Sequence, residues 1–475
     1  MKRLLPSLLV IGLIAATPAS AVANGKPNII LVMADDQGWG DMAYNGHRVV
    51  KTPNFDKMAA TGLRFDRFYA AAPVCSPTRA SVMTGRHPNR CGCFSWGHSL
   101  RPQEITLAAA LKMAGYRTGH FGKWHLGSVR LGSPVNPGAS GFDEWLSAEN
   151  FFDIDPILSR NGKAEQMKGE SSEITVDAAL EFIRDSTRKK EPFLAVVWFG
   201  SPHAPHQATE ADKRLYADQP ANLQNFYGEI TAMDRAFGKL RDELKKLGIE
   251  ENTILWFCSD NGALPKVGST GGFRGFKASL YEGGVLVPAL LEWPARIAKH
   301  RTTSVRCNTS DIYPTLLEIV GVKMKRQPPL DGISLVPLLD NKMAVRPRPM
   351  GFWVYPVGGI ATPSHAWMTE LLAAQKEGKE PDDKVKLRLD AGKILKRYPA
   401  DKLLGHAAWI DGGWKLHRIP DKSGDKIRVE LYDLAKDRAE TTDVAATEAD
   451  RVKTMRAALE AWQRSVIRSL NGEDY

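Results

Sequence analysis

The chain has 475 residues, 43% hydrophobic and 25% charged; it can bury a large core without covalent staples and is longer than one core usually holds. Five cysteines in that length do not make a disulfide framework. Of 64 basic side chains, Lys2 and Arg3 belong to the leader described next; the remaining 62 against 54 acidic ones leave the +10 chain at +8, which suits an anionic substrate or surface, and no nucleic-acid partner is expected.

The N-terminus carries two basic residues, an apolar stretch from Leu4 to about Ala16, and two small-residue sites, Ala19-Ser20-Ala21 and Ala21-Val22-Ala23. This reads as a cleaved secretory signal over residues 1–23. The stretch is short for a bilayer span and is broken by Pro6 and Pro18. The mature chain is therefore expected in the periplasm or outside the cell, without stable membrane insertion.

The first predicted strand is Ile29 to Met33, and it ends abruptly in Asp35 and Asp36. In "PVCSPTRASVMTGRHP", Pro77 favours a first helical turn, which predicts Cys75 at the helix cap and Arg79 one turn on along the same face. A helix N-terminus beside an arginine attracts anions and would also stabilise a thiolate; the default for an isolated cysteine is an inert buried residue, and spacing alone leaves both open. Cys91, Cys93, Cys258 and Cys307 suggest no pairing by spacing. "EITLAAALKMAGY" predicts a short helix before a strand, "RTGHFG", after which come Lys123 and His125, two apart and able to face the same way.

Phe193 to Phe199 predicts a strand followed by His203 and His206. Leu223, Phe226, Ile230, Met233, Phe237, Leu240 and Leu244 share one face of a long helix that stops at Gly248. Ile254 to Cys258 repeats the strand plan and ends in Asp260 and Asn261; the glycine-rich "GGFRGFKASLYEGG" then adds Lys277. A domain boundary is placed near 345, giving 24–345 and 346–475. In the second part "AAWIDGGWKLHRI" and "IRVELYDL" predict two antiparallel strands with a turn at Asp411-Gly412, and "EADRVKTMRAALEAWQRSVIRS" predicts a closing helix.

Short apolar runs alternating with helices predict an α/β fold: a large, mostly parallel sheet flanked by helices, followed by a smaller antiparallel sheet-plus-helix subdomain. Ligands in such sheets bind beyond the carboxyl ends of the strands, where the polar clusters fall. Asp35, Asp36, Asp260 and Asn261 offer only oxygen, which favours Ca²⁺, with Mg²⁺ as the alternative, over zinc. Arg79, Lys123, His125, His203 and Lys277 around such an ion would grip a tetrahedral oxyanion.

These residues resemble the type I sulfatase family of the alkaline phosphatase superfamily, in flavour the arylsulfatases and N-acetylgalactosamine-6-sulfatases. "CSPTRASVMTGR" fits that family's C-x-P-x-R signature, "GYRTGHFGKWHLG" its second block, and "WKLHRI...ELYDLAKDRAE" its ending. The resemblance implies that Cys75 is oxidised to formylglycine by a separate maturation enzyme. The hydrated aldehyde would attack sulfur with one hydroxyl and expel sulfate with the other. It further implies that Asp35, Asp36, Asp260 and Asn261 bind the metal together with residue 75. Arg79 would hold the diol, Lys123 and Lys277 the sulfate oxygens; His125 would act as base, and His203 would contact sulfate or protonate the leaving alcohol. His203 rather than His206 fits because it stands two residues before Pro205.

One departure is "EGGVLVP", where Leu286 replaces the arginine family members often have. The alternatives are a phosphomonoester or phosphodiester hydrolase of the same superfamily, and a non-catalytic exported polyanion-binding protein if Cys75 stays a thiol. A sulfated carbohydrate is the expected substrate, with Trp96, His98, Arg101, Trp353 and His365 as candidates for the pocket mouth. The sequence leaves the linkage position, exo or endo action and the oligomeric state open.

Overall fold

The computed structural model describes residues 25–475; the predicted leader lies outside the described residues. In chain order the main sheet contains β1 (Asn28–Ala34), β2 (Leu63–Tyr69), β3 (Arg117–Lys123), β4 (Glu144–Ala148), β5 (Ile157–Arg160), β6 (Lys163–Gln166), β7 (Phe193–Trp198), β8 (Thr253–Ser259), β9 (Leu286–Glu292), β10 (Arg301–Thr303) and β11 (Cys307–Asn308). They are arranged β10-β2-β9-β8-β1-β7-β3-β4-β5-β6, with β11 also paired to β2. The five strands β8, β1, β7, β3 and β4 are mutually parallel. Antiparallel pairing is confined to β9, which runs between β8 and β2, and to β5 and β6, which fold back beside β4.

The central strands are apolar on both faces because both faces are covered. Ile29, Leu31 and Met33 pack toward Ala80, Val82 and Met83 of helix Cys75–Thr84 and toward Leu107 and Leu111 of helix Leu107–Lys112. Ile30 and Val32 face the other way, into a cluster with Val176, Leu180 and Ile183 of helix Ser171–Lys189 and Met233, Phe237 and Leu240 of helix Ala221–Lys246. The period-two alternation of a strand thus feeds two helical layers. No helix among the described residues is long and apolar enough to cross a membrane.

The second sheet is antiparallel, with β12 (Met350–Trp353), β13 (Ala407–Asp411), β14 (Trp414–Pro420) and β15 (Ile427–Asp433) in that order. It has four strands where the sequence predicts two. The Asp411–Trp414 turn divides one apolar run into two strands, with Gly412 at φ 54°, and β12 is only four residues long inside a proline-rich stretch. Helix Ala449–Leu470 covers the sheet with Met455, Leu459, Val466 and Ile467.

The two sheets share an apolar seam in which Tyr69 and Leu286 meet Phe352, Ile410 and Tyr432. Leu286 is therefore packing in a dry interface, and the ion pair an arginine would make there has no counterpart. A buried polar knot beside the seam ties the sheets: Lys415 donates to Glu282 at 2.8 Å, and Tyr69 donates to the same carboxylate at 2.9 Å. All five cysteines are buried and unpaired.

Candidate active site

The carboxyl ends of β1, β3, β7 and β8 lie along one edge, and the antiparallel course of β9 brings the loop preceding it, with Lys277, to that same edge. Asp35 and Asp36 follow β1, and Asp36 adopts the left-handed region at φ 66°. Two hydrogen bonds to the end of β8 pin this turn: the Asp36 N–H donates to Asp260 Oδ1 at 3.0 Å, and the Gln37 N–H donates to Ser259 Oγ at 3.1 Å. Two acidic strand ends, more than two hundred residues apart in sequence, are thereby fused into one cluster.

Cys75 is the first residue of helix Cys75–Thr84, and Val74, with extended backbone, takes the cap position predicted for the cysteine. Arg79, one turn on, donates to Asp260 Oδ2 at 2.8 Å and lies 3.6 Å from Asp35 Oδ1. Its guanidinium rests over the Trp198 ring, 5.1 Å from the centroid. The Lys123 ammonium donates to Asp35 Oδ2 at 2.5 Å and that of Lys277 to Asp36 Oδ2 at 2.6 Å. Asn261 donates its Nδ2 to Asp36 Oδ1 at 2.9 Å. Asp35, Asp36, Cys75 and His203 each place a ligating atom within 4.8 Å of the others.

The His203 ring, stacked on Phe151 at 4.3 Å, holds Nε2 3.5 Å from Asp36 Oδ2. His206 turns away, toward Glu229 at 3.7 Å. His125, at φ 52°, is buried, with Nε2 3.4 Å from Thr362 Oγ1. Thr362 in turn accepts from Asn150 Nδ2 at 3.0 Å. Asn150 and Thr362 were not among the predicted residues: neither ends a strand in a polar cluster, and no local pattern links them.

Of the pocket-mouth candidates, Trp96 and His98 sit on a loop whose Gly97 N–H donates to Ser76 Oγ at 2.9 Å, next to Cys75. His365 is exposed in the first turn of helix Ser364–Lys376. Trp353 is buried and donates Nε1 to the Leu404 carbonyl at 2.7 Å, so it is a packing residue. Arg101 is buried and donates Nη2 to the Leu470 carbonyl at 2.8 Å.

Residues 27–322 match the family model described as Sulfatase. The chain belongs to the sulfatase family. It is accordingly an enzyme of the sulfuric ester hydrolase class. N-acetylgalactosamine-6-sulfatase of Rattus norvegicus is 34% identical over 391 residues, covering 73% of this chain and 71% of that protein. Arylsulfatase G of the same species is 30% identical over 441 residues, 82% of this chain and 78% of that one. The crystal structure of Ps i-CgsB in complex with k-i-k-neocarrahexaose superposes with a TM-score of 0.77 at 25% identity, covering 92% of this chain and 93% of that chain.

The electrostatics of this sulfatase follow from burial. Asp35, Asp36 and Asp260 are fully buried, and Arg79, Lys123 and Lys277 supply three cations against three carboxylates. Burial raises the Asp35 carboxyl, but Lys123, His203 and Arg79 outweigh it and hold the group well below the usual range. Asp260 is pushed up to about 7 by burial and by Asp35, with Arg79 pulling the other way. Burial lowers His203 to about 4 against the pull of Asp36, and burial with Lys123 and Arg79 lowers His125 well below its ordinary value. Both imidazoles are neutral near pH 7.

Burial also pushes the Cys75 thiol up to about 12, although Lys123 and Lys277 act to lower it. Of the two readings open for Cys75, the structure favours the buried thiol over the thiolate: desolvation exceeds what the helix end and the lysines return. The donor set suits a hard cation. Asp35 Oδ1 and Asn261 Oδ1 are buried without a hydrogen-bond partner, and orphaned oxygens among clustered carboxylates are the ligands such an ion takes.

Proposed function

We propose that this sulfatase removes sulfate from a sulfated carbohydrate, with Cys75 converted to formylglycine by a separate maturation enzyme and with one Ca²⁺ bound by Asp35, Asp36, Asp260, Asn261 and residue 75. The observation that carries the reading is the burial of residue 75, as a thiol too weakly acidic to serve as nucleophile, against three carboxylates and three cations at one strand edge. A carbohydrate is supported by the printed name of the rat N-acetylgalactosamine-6-sulfatase, by the oligosaccharide in the Ps i-CgsB complex, and by the basic charge of the chain. Export to the periplasm or the exterior, and a division into a catalytic part over 24–345 and a subdomain over 346–475, belong to the same reading.

Hydrated formylglycine at position 75 would supply a geminal diol, with one hydroxyl as nucleophile toward sulfur and the other to lose a proton and expel sulfate as the aldehyde re-forms. The cation, held by Asp35, Asp36, Asp260 and Asn261, would supply positive charge to the bound anion. The remaining work falls to the chain's own side chains. Arg79, fixed by Asp260 and Trp198, holds the side chain at 75 in orientation. Lys123 and Lys277 hold sulfate oxygens in a site from which water is largely excluded, with Lys277 near the leaving oxygen. His125 is neutral and its Nδ1 has no partner, so it can take the proton of the second hydroxyl. His203, neutral in the free enzyme, contacts the sulfate or, once the charge of bound substrate has drawn it into the imidazolium form, protonates the departing alcohol.

The test compares an aryl sulfate with the matching aryl phosphate, using protein produced together with a formylglycine-generating enzyme. Turnover of the sulfate at least a hundredfold faster is expected. Preference for the phosphate would replace this reading with phosphoester hydrolysis.

A further inference from the structure

A cavity of about 310 Å³ lies between the loop of residues 91–101 and the segment 357–398, near the lower end of the roughly 300–1,000 Å³ usual for small-molecule sites. Its walls adjoin the catalytic cleft. Ile360 lines the cavity, and Thr362, two residues along, touches His125; two residues of extended chain span at most about 7 Å. The other wall carries His98, whose neighbour Gly97 donates to Ser76 beside Cys75.

The lining combines positive charge with aromatic faces. Arg101, Arg388, Lys393 and Lys396 all line it, and among the described residues none of the four has a carboxylate within ion-pair distance; Asp390 is the acidic group in the wall. Arg101 is 7% exposed, and its Nη1 is buried without a partner. A buried guanidinium nitrogen with no acceptor is costly, and an anion entering the cavity would satisfy it. The Phe94 and Tyr398 rings, 5.6 Å apart, form part of the same wall.

We propose that this cavity is a second subsite, which takes an anionic sugar unit adjacent to the unit carrying the scissile sulfate. The inference rests on the carbohydrate reading above and deepens it: the sulfatase binds across at least two units of an oligosaccharide. Arg101 is the internal anion contact, Lys393 and Lys396 attract the anion from the rim, and the aromatic faces meet the apolar face of the sugar ring.

The test uses the full-length matured enzyme and a panel of sulfated mono- and oligosaccharides of hexosamine and galactose, with an aryl sulfate as reference. Wild-type enzyme is expected to show a higher kcat/KM on oligosaccharides than on the corresponding monosaccharide, a preference that declines with added salt. In Lys393→Glu/Lys396→Glu, the ratio of kcat/KM on oligosaccharide to that on aryl sulfate should fall at least tenfold, chiefly through KM. Both lysines are exposed, so the fold tolerates the change; Lys393→Ala/Lys396→Ala should shift the ratio in the same direction by less. An unchanged ratio in both variants, with wild type active on oligosaccharides, would overturn the subsite alone. Wild type that turns over the aryl sulfate and no saccharide of the panel would overturn the carbohydrate reading and the subsite with it.

Discussion

Replacing Lys123 by methionine removes an ammonium that lies 2.5 Å from Asp35 Oδ2 with both side chains fully buried. The volume is nearly conserved, so the effect is electrostatic. Breaking a buried pair from one side costs about 3–5 kcal/mol because the remaining charge is left uncompensated. Arg79, 3.6 Å from the other oxygen of Asp35, supplies part of the compensation, which puts the loss near the lower end, about 3 kcal/mol. With an unfolding entropy of about 2.1 cal/mol/K per residue, roughly 0.9 kcal/mol/K for this chain, Tm falls by about 3 °C. That figure holds in EDTA. In millimolar CaCl2 a divalent ion on the same carboxylates takes over the countercharge, and the deficit should shrink below about 1 °C on the same entropy. Activity should not recover, because the proposed mechanism also assigns Lys123 to a sulfate oxygen; a loss of about a hundredfold or more in kcat/KM is expected. Calorimetry with and without calcium, alongside aryl sulfate kinetics, checks both parts. An equal Tm deficit in the two media would refute the shared-carboxylate argument.

Cys75→Ala should retain substrate binding by calorimetry and show no turnover, and the tryptic peptide 68–79 of wild type made with the maturation enzyme should carry the mass of the aldehyde rather than the thiol. Thr362→Val removes the hydroxyl beside His125 and should lower kcat about fivefold, the equivalent of one hydrogen bond of about 1 kcal/mol, with KM little changed and with activity restored in Thr362→Ser. Asp260, raised to about 7, is protonated more readily in the folded than in the unfolded chain. The metal-free enzyme should therefore lose stability as pH rises toward and through 7, and calcium, which requires the ionised form, should bind more tightly over that range and release a proton. Titration calorimetry in buffers of different ionisation enthalpy measures that proton, and calcium affinity independent of pH between 5 and 8 would exclude the linkage.

The central sheet was legible because strands buried on both faces read as short unbroken apolar runs, as in Ile29 to Met33 and Ile254 to Cys258. The polar residues that end those runs were legible for the same reason: a parallel arrangement delivers every carboxyl end to one edge. What sequence could not supply was direction and distance. The antiparallel course of β9, which brings Lys277 to the cluster, depends on pairing that no local pattern states. Asn150 and Thr362 meet 212 residues apart, and the Lys415–Glu282 pair joins β14 to the helical turn before β9, positions 133 apart. The choice at Cys75 between a stabilised thiolate and an inert buried thiol stays open in the sequence, because a helix terminus is visible there whereas full desolvation is not.

The charge balance of the cluster links these observations to catalysis. Three carboxylates facing Arg79, Lys123 and Lys277, with both histidines neutral, leave the protein's own groups near zero net charge once Asp260 is ionised, and a site of that kind has little pull on a sulfate monoester anion. The divalent cation proposed at Asp35, Asp36, Asp260 and Asn261 would make the same site positive by about two charges, in a region where burial magnifies each one. Lys123 and Lys277, which pair with Asp35 and Asp36, would then be available to an incoming anion. On the proposed mechanism the buried carboxylates would have a role that their number alone does not explain: they would make oxyanion affinity conditional on the metal, because the groups that grip sulfate are the ones the acidic cluster occupies in its absence.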